Sequence, residues 1–295
     1  MNTETMTSEL ETLRSVLENL RAEHADLQLL YEATIEHGEA VEDQLAESNI
    51  RLQLMQDRLT AELNDAGRYV QSILPDRRIK DPQTDWLLVP STELGGDSFG
   101  YHDLDQDHFA VYLIDVCGHG VGAALLSVSI INVLRASALP QTDFKDPSEV
   151  LFKLNNAFPM ERQDNMFFTI WYGVYQRSAR LLRFASGGHP PAIHLKADGG
   201  FQMLGTPEGM VIGAIADMTF EQGEAEIRPQ DRLLVLSDGT FEIDVPGQGV
   251  LSVEDLARYA CAVPDGVTPA LFEWIGSLAH QAALPDDYTM VELRF

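Results

Sequence analysis

The chain has 295 residues, 45% of them hydrophobic, and sets 20 Lys and Arg against 46 Asp and Glu for a formal net charge of −26. A chain this acidic repels phosphate backbones and anionic lipid, which argues against nucleic-acid or membrane-surface binding and means that a phosphorylated substrate would need a local cation. Two cysteines, Cys117 and Cys261, are too few for a disulfide framework, the N-terminus has no signal-like apolar segment, and no apolar run reaches the ~18 residues of a membrane span; the expectation is a soluble cytoplasmic protein.

Residues 1–70 read as one helix. They contain no proline, and apolar residues recur at heptad spacing: Leu10, Leu17, Leu45, Leu52 and Leu59 on one position, Leu13, Leu20, Leu27, Val41 and Met55 on the other. That repeat predicts a coiled coil, because a seam this long leaves leucines exposed on a monomer; a solvated single helix is the alternative. His24, Tyr31, Thr34 and Gly38 occupy seam positions in the middle and weaken it. A parallel homodimer is the expected pairing, since it places both following domains at one end.

The prolines of QSILPDRRIKDPQ close the helix, and residues 71–295 have the texture of a globular domain. Strands are expected in DWLLVPS, HFAVYLIDV, MFFTIWYGVY, RLLRFAS, AIHLKA, DRLLVLSD and YTMVELRF. Helices are expected in GAALLSVSIINVLRASA, PSEVLFKLNNAF, SVEDLARYACAV and TPALFEWIGSLAHQAAL. Strands come in runs and helices in pairs, unlike the strict alternation of a doubly wound sheet. The pattern predicts an α+β domain in which two mostly antiparallel sheets carry helices outside.

Aspartates mark the strand ends. Asp97 lies in GGDSFG, Asp115 ends HFAVYLID, Asp238 ends DRLLVLSD, and Asp286 and Asp287 precede the last strand. One such aspartate is usually a turn former. Four beside glycine or another aspartate suggest carboxylates gathered on one rim, where they repel one another unless a cation neutralises them. Oxygen ligands with few histidines or thiols select a hard cation, Mg2+ or Mn2+. An oxygen-lined two-metal site suits phosphate-ester hydrolysis, since it activates water and clamps a phosphoryl group.

The ordered series GGDSFG, LIDVCGHGVGAALLS, FFTIWYGVY, LLRFASGGHPPAIHL, LSDGTFE and DDYTMVELRF resembles the SpoIIE/RsbU-like branch of the metal-dependent PPM-type serine/threonine phosphatases, over about residues 70–295. The resemblance implies a four-layer α-β-β-α sandwich holding two Mn2+ or Mg2+. Asp97 would hold one metal, Asp115 would bridge both with the Val116 carbonyl beside it, and Asp238 and Asp286 would complete the site. Water or hydroxide would be the nucleophile, with no covalent phosphoenzyme. The helices after DVCGHGVG would be regulatory, and the N-terminal helix would be the linker that receives a signal from an upstream sensor or regulator. The implied substrate is a phosphoserine or phosphothreonine on a STAS-type anti-sigma-factor antagonist in a partner-switching pathway.

Other residues have plainer readings. His119 is a turn residue or a substrate contact. Asp287 caps a turn or orients a metal water, Glu242 supports the metal ligands from behind or is structural, and His189 is structural. Cys117 is a small buried residue. Asp103, Asp105 and Asp107 form a solvated hairpin turn, lacking the glycine and glutamate of a calcium loop. Arg162 and Arg177 are the available phosphate grips, with no motif to support either. Two other functions compete. GGDSFG resembles the GGDEF turn of diguanylate cyclases, but Ser98 replaces the glutamate and the downstream motifs do not fit. A catalytically silent phosphatase-like dimeric adaptor would bind a partner without needing metal.

Overall fold

A computed structural model of the chain describes residues 3–207, 209–247, 249–278 and 284–295. The chain divides into two compact units, Met1–Glu62 and Leu63–Phe295. Helix α1 spans Thr3–Ile73 and therefore crosses that division. It stops where Pro75 restricts the residue before it to extended backbone. The division falls before the 70/71 boundary expected from sequence, and the last turns of α1 belong to the second unit. Within the first unit, Leu10, Leu17, Leu45, Leu52 and Leu59 are 49% to 62% exposed, so among the described residues of that unit nothing covers the seam. Among the described residues, no helix is long and apolar enough to cross a membrane.

The second unit is built on two five-stranded antiparallel sheets. The first holds β1 (Gln83–Val89), β6 (Ala192–Leu195), β7 (Phe201–Leu204), β9 (Arg232–Leu236) and β12 (Tyr288–Arg294), in the order β1-β12-β9-β6-β7. The second holds β2 (Ser98–Asp103), β3 (His108–Val116), β4 (Phe168–Gln176), β5 (Leu181–Gly187) and β8 (Gly223–Glu226), in sequence order. A short ribbon pairs β10 (Asp244–Val245) with β11 (Gly249–Val250). The central strands are apolar on both faces because both faces are covered. Phe99, Val111, Leu113, Trp171 and Phe184 meet Leu204, Leu233, Val235, Val291 and Leu293 between the sheets. The Trp171 indole donates across this layer to the Leu204 carbonyl at 2.8 Å.

Helices α2 (Val121–Arg135) and α3 (Pro147–Ala157) cover the outside of the second sheet, where Ile130, Leu134, Val150 and Leu154 pack on Tyr112, Ile114 and Tyr172. Helices α4 (Val253–Ala262) and α5 (Val267–Leu278) cover the first, where Leu256, Leu271 and Ile275 pack on Leu234, Leu236 and Met290. The result is the expected α-β-β-α sandwich. Local chemistry sets the helix starts: the Asp146 carboxylate caps α3 by accepting from Ser148 and Glu149, and Ser252 with Asp255 forms a capping box on α4.

The structure adds strands that the sequence reading missed. GGDSFG reads as a turn, yet its last three residues open β2. Strands β7 and β8 are only four residues long and carry little apolar alternation, so their pairing partners define them. The reading of a helix through residues 279–283 lies outside the described residues.

Candidate metal centre

Strand pairing gathers the candidate ligands two from each sheet. In the second sheet Ser98 pairs with Ile114, which sets Asp97, one residue earlier, alongside Asp115, one residue later. In the first sheet β9 pairs with β12 and the Ser237 amide bonds to the Thr289 carbonyl, so Asp238 and Asp286 leave neighbouring strands at the same end. Asp238 opens a single turn of 3-10 helix. Residues separated by up to 189 positions in the chain thus share one rim because the two sheets face each other.

Asp115, Val116, Asp238 and Asp286 line a cavity of about 520 Å³ together with Ser91, Thr92, Cys117, Gly118, His119, Phe167, Thr169, Leu284 and Pro285. Asp97 does not line it. Its side chain is buried, its Oδ2 has no hydrogen-bond partner, and it borders a smaller hollow with Gly67, Val70 and Leu88. Two glycines allow the loops to approach. A Cβ on Gly96 would come 2.5 Å from the Val116 carbonyl oxygen, and one on Gly95 would overlap the Asp287 carboxylate.

The electrostatics are those of anions held together without a counterion. Burial, then the neighbouring charge of Asp115, raises the Asp97 carboxyl well above its ordinary value, against the pull of the nearby Thr289 and Ser237 hydroxyls. Burial, followed by repulsion from Asp238, Asp286, Asp287 and Glu242, pushes Asp115 up to about 7. Asp238 is raised by burial and by Asp286 and Glu242. Among the described residues no lysine or arginine lines the cavity. Arg177 is instead engaged by Asp103 and by the carbonyls of Asp81 and Gln106, and Arg162 sits in a short turn outside the lining.

This donor set fits a hard divalent cation. The candidate ligands are oxygens, three carboxyls are pushed toward protonation by burial and then by one another's charge, and one buried carboxylate oxygen has no partner at all. Among the described residues no three acid, imidazole or thiol groups already stand close enough to hold an ion without side-chain adjustment.

Several roles invisible in the sequence emerge. Asp287 is a staple: its Oδ1 accepts from the Ser91 amide at 2.8 Å and the Ser91 hydroxyl at 2.9 Å, and its Oδ2 from the Asp97 amide at 3.3 Å. These bonds fix the loop that carries Asp97, so Asp287 positions a candidate ligand. The Cys117 thiol accepts from the Phe167 amide at 3.3 Å, a packing role. Asp105 closes the β2–β3 turn by accepting from the amides of Asp107 and His108 at 2.8 Å, as a hairpin turn requires. His119 is exposed at the cavity edge, and His189 is buried against Thr169. A separate hollow of about 620 Å³ contains Lys196, Arg232 and Arg294 with Asp81 and Asp265; both arginines pair with Glu292, and Arg294 also with Asp265.

The comparisons agree with this fold. The family described as Stage II sporulation protein E (SpoIIE) matches residues 105–295. The phosphoserine phosphatase RsbU of Bacillus subtilis (strain 168) is 26% identical over 275 residues, covering 91% of this chain and 78% of RsbU. The phosphoserine phosphatase RsbP of the same organism is 26% identical over 183 residues, 61% of this chain and 45% of RsbP. Among solved structures, the SiaA-PP2C domain of Pseudomonas aeruginosa matches with a TM-score of 0.69 at 21% identity, over 81% of this chain and 98% of that one. The PP2C phosphatase domain of SpoIIE from Bacillus subtilis, solved with a fragment of its regulatory domain, matches with a TM-score of 0.60 at 19% identity, over 72% and 62% of the two chains. The structural matches establish the fold, and with the family match covering most of the globular unit the chain belongs to the SpoIIE family of metal-dependent, PPM-type serine/threonine phosphatases.

Proposed function

We propose that this phosphatase removes phosphate from a phosphoserine or phosphothreonine of a STAS-type anti-sigma-factor antagonist in a partner-switching pathway, under control of its N-terminal helix. One observation carries the site assignment: Asp115, Asp238 and Asp286, from facing sheets, line one cavity beside the buried Asp97, with no lysine or arginine among the described lining residues to neutralise them. Asp97, Asp115, Asp238 and Asp286, with the Val116 carbonyl, would hold two Mn2+ or Mg2+. RsbX, which shares the fold at a TM-score of 0.53, was solved in complex with magnesium. When bound, divalent cations of this kind polarise a phosphoryl group and acidify water. The chain's own part is to hold the carboxylates in place through Asp287 and the sheet registers, and to wall the cavity with Phe167, Leu284 and Pro285.

The STAS-type substrate is supported by similarity to RsbU and RsbP, each a phosphoserine phosphatase. Regulation through a parallel coiled-coil homodimer is supported by the exposed leucine seam on α1, with an upstream sensor or regulator as its signal. The test is dephosphorylation of a phosphoserine STAS-domain protein with Mn2+, Mg2+ or EDTA, for the wild type and for Asp115→Ala and Asp238→Ala. Turnover that requires metal and disappears in both variants is expected. Metal-independent turnover, or turnover that persists in either variant, would refute the site assignment.

A further inference from the structure

We propose that the Thr169 hydroxyl, held by the His189 ring, is a substrate-positioning group that donates a hydrogen bond to a phosphoryl oxygen. The inference rests on the phosphatase reading and extends it to the question of what grips the phosphate in a cavity whose described lining has no lysine or arginine.

The register places Thr169 directly opposite Asp115 on neighbouring strands, so both side chains leave the same face of the sheet, and both line the cavity. Few uncommitted donors remain there. The Ser91 hydroxyl donates to Asp287 at 2.9 Å, and the Thr92 hydroxyl to the Leu94 carbonyl at 3.0 Å. The other described lining side chains are carboxylates, apolar groups or the Cys117 thiol, apart from His119 at the exposed edge. Thr169 is thus the interior hydroxyl whose proton can face the substrate.

His189 decides where that proton points. It is 7% exposed, and burial drives its basicity down to about 3, so the ring is neutral and carries one N–H. Its Nδ1 lies 2.7 Å from Thr169 Oγ1, while its Nε2 has no hydrogen-bond partner. The Leu236 carbonyl beside the ring is a further acceptor, which pulls the pKa up against the effect of burial. The neutral ring can carry its proton on either nitrogen, and the 2.7 Å contact with Thr169 serves both tautomers. We assign the Nδ1–H tautomer to the phosphate-bound state, in which the ring donates to Thr169 Oγ1 and the threonine's own proton turns to a phosphoryl oxygen in the cavity. The turn is held in place because the Ser186 hydroxyl donates to the His189 carbonyl at 2.8 Å and accepts from its amide at 3.2 Å.

The test is titration of Mg2+-loaded full-length protein with inorganic phosphate by calorimetry, alongside kcat and KM on a phosphoserine protein. Thr169→Val should weaken phosphate binding about tenfold, the weight of one hydrogen bond, and raise KM at least as much as it lowers kcat. Thr169→Ser, which keeps the hydroxyl, should stay near wild type, and the melting temperatures should match. Unchanged phosphate affinity in Thr169→Val, equal loss in Thr169→Ser, or a wild type that binds no phosphate would each overturn the proposal. A wild type that binds phosphate in a Thr169-dependent way but hydrolyses no phosphoprotein would support this inference and count only against the hydrolase reading.

Discussion

Replacing His189 with asparagine should change how the stability of the protein depends on pH. His189 is buried, and its folded-state pKa lies at about 3 against an ordinary 6.5. A depressed histidine pKa means that the unfolded chain takes up a proton below pH 6.5 and the folded chain does not. The neutral ring's contribution is therefore complete above 6.5 and is lost as pH falls toward 3. From RT ln[(1 + 10^1.5)/(1 + 10^−2)], moving from pH 7.5 to pH 5 costs the folded state about 2 kcal/mol through this one group. Asparagine places an amide where Nδ1 meets Thr169 and cannot be protonated, so it removes the pH-dependent part while keeping a partner for the hydroxyl. The smaller side chain lowers stability by an amount independent of pH. The assay is urea unfolding with EDTA at both pH values. The gap between wild type and His189→Asn should narrow by about 2 kcal/mol at the lower pH. A gap of equal size at the two pH values would refute the reasoning, since it would mean that the ring protonates as readily in the fold as outside it.

Asp115→Asn should raise the stability of metal-free protein by about 1–3 kcal/mol, because it removes one of several crowded, partly buried charges. With saturating Mg2+ the order should reverse, as the wild type gains the binding free energy that the variant lacks; calorimetric melts in EDTA and in Mg2+ check both signs. Asp287→Ala frees the Ser91 and Asp97 amides together and should raise the metal concentration for half-maximal activity roughly 10–100-fold, read from activity against Mn2+ concentration. Leu45→Lys with Leu52→Lys buries charge in the seam and should shift the full-length chain from dimer to monomer in sedimentation velocity, with the phosphatase domain still folded by circular dichroism.

The sequence by itself determined whatever depends on neighbours in the chain. The heptad repeat of α1, the apolar runs of β3, β4 and β9, and the paired helices were legible because helical and strand periodicities are local properties. The acids at strand ends were legible for the same reason: a charge that terminates an apolar strand needs an explanation, and Asp115, Asp238 and Asp286 do line one cavity.

Only the tertiary structure decided which of these residues meet and on what terms. Asp97 lies beside Asp115 because Ser98 pairs with Ile114, yet it borders a different hollow, which no spacing along the chain could show. Asp287 stands next to Asp286 in sequence and does different work, since its carboxylate reaches back 190 residues to the Asp97 amide. His189, in a proline-rich turn, reads as structural until strand β4 brings Thr169 to it. Short strands such as β7 and β8 exist because a neighbouring strand offers hydrogen bonds, not because their own residues demand it. Pairing across sheets is a property of the closed sandwich, and its energetics enter only once the two apolar faces have come together and excluded water.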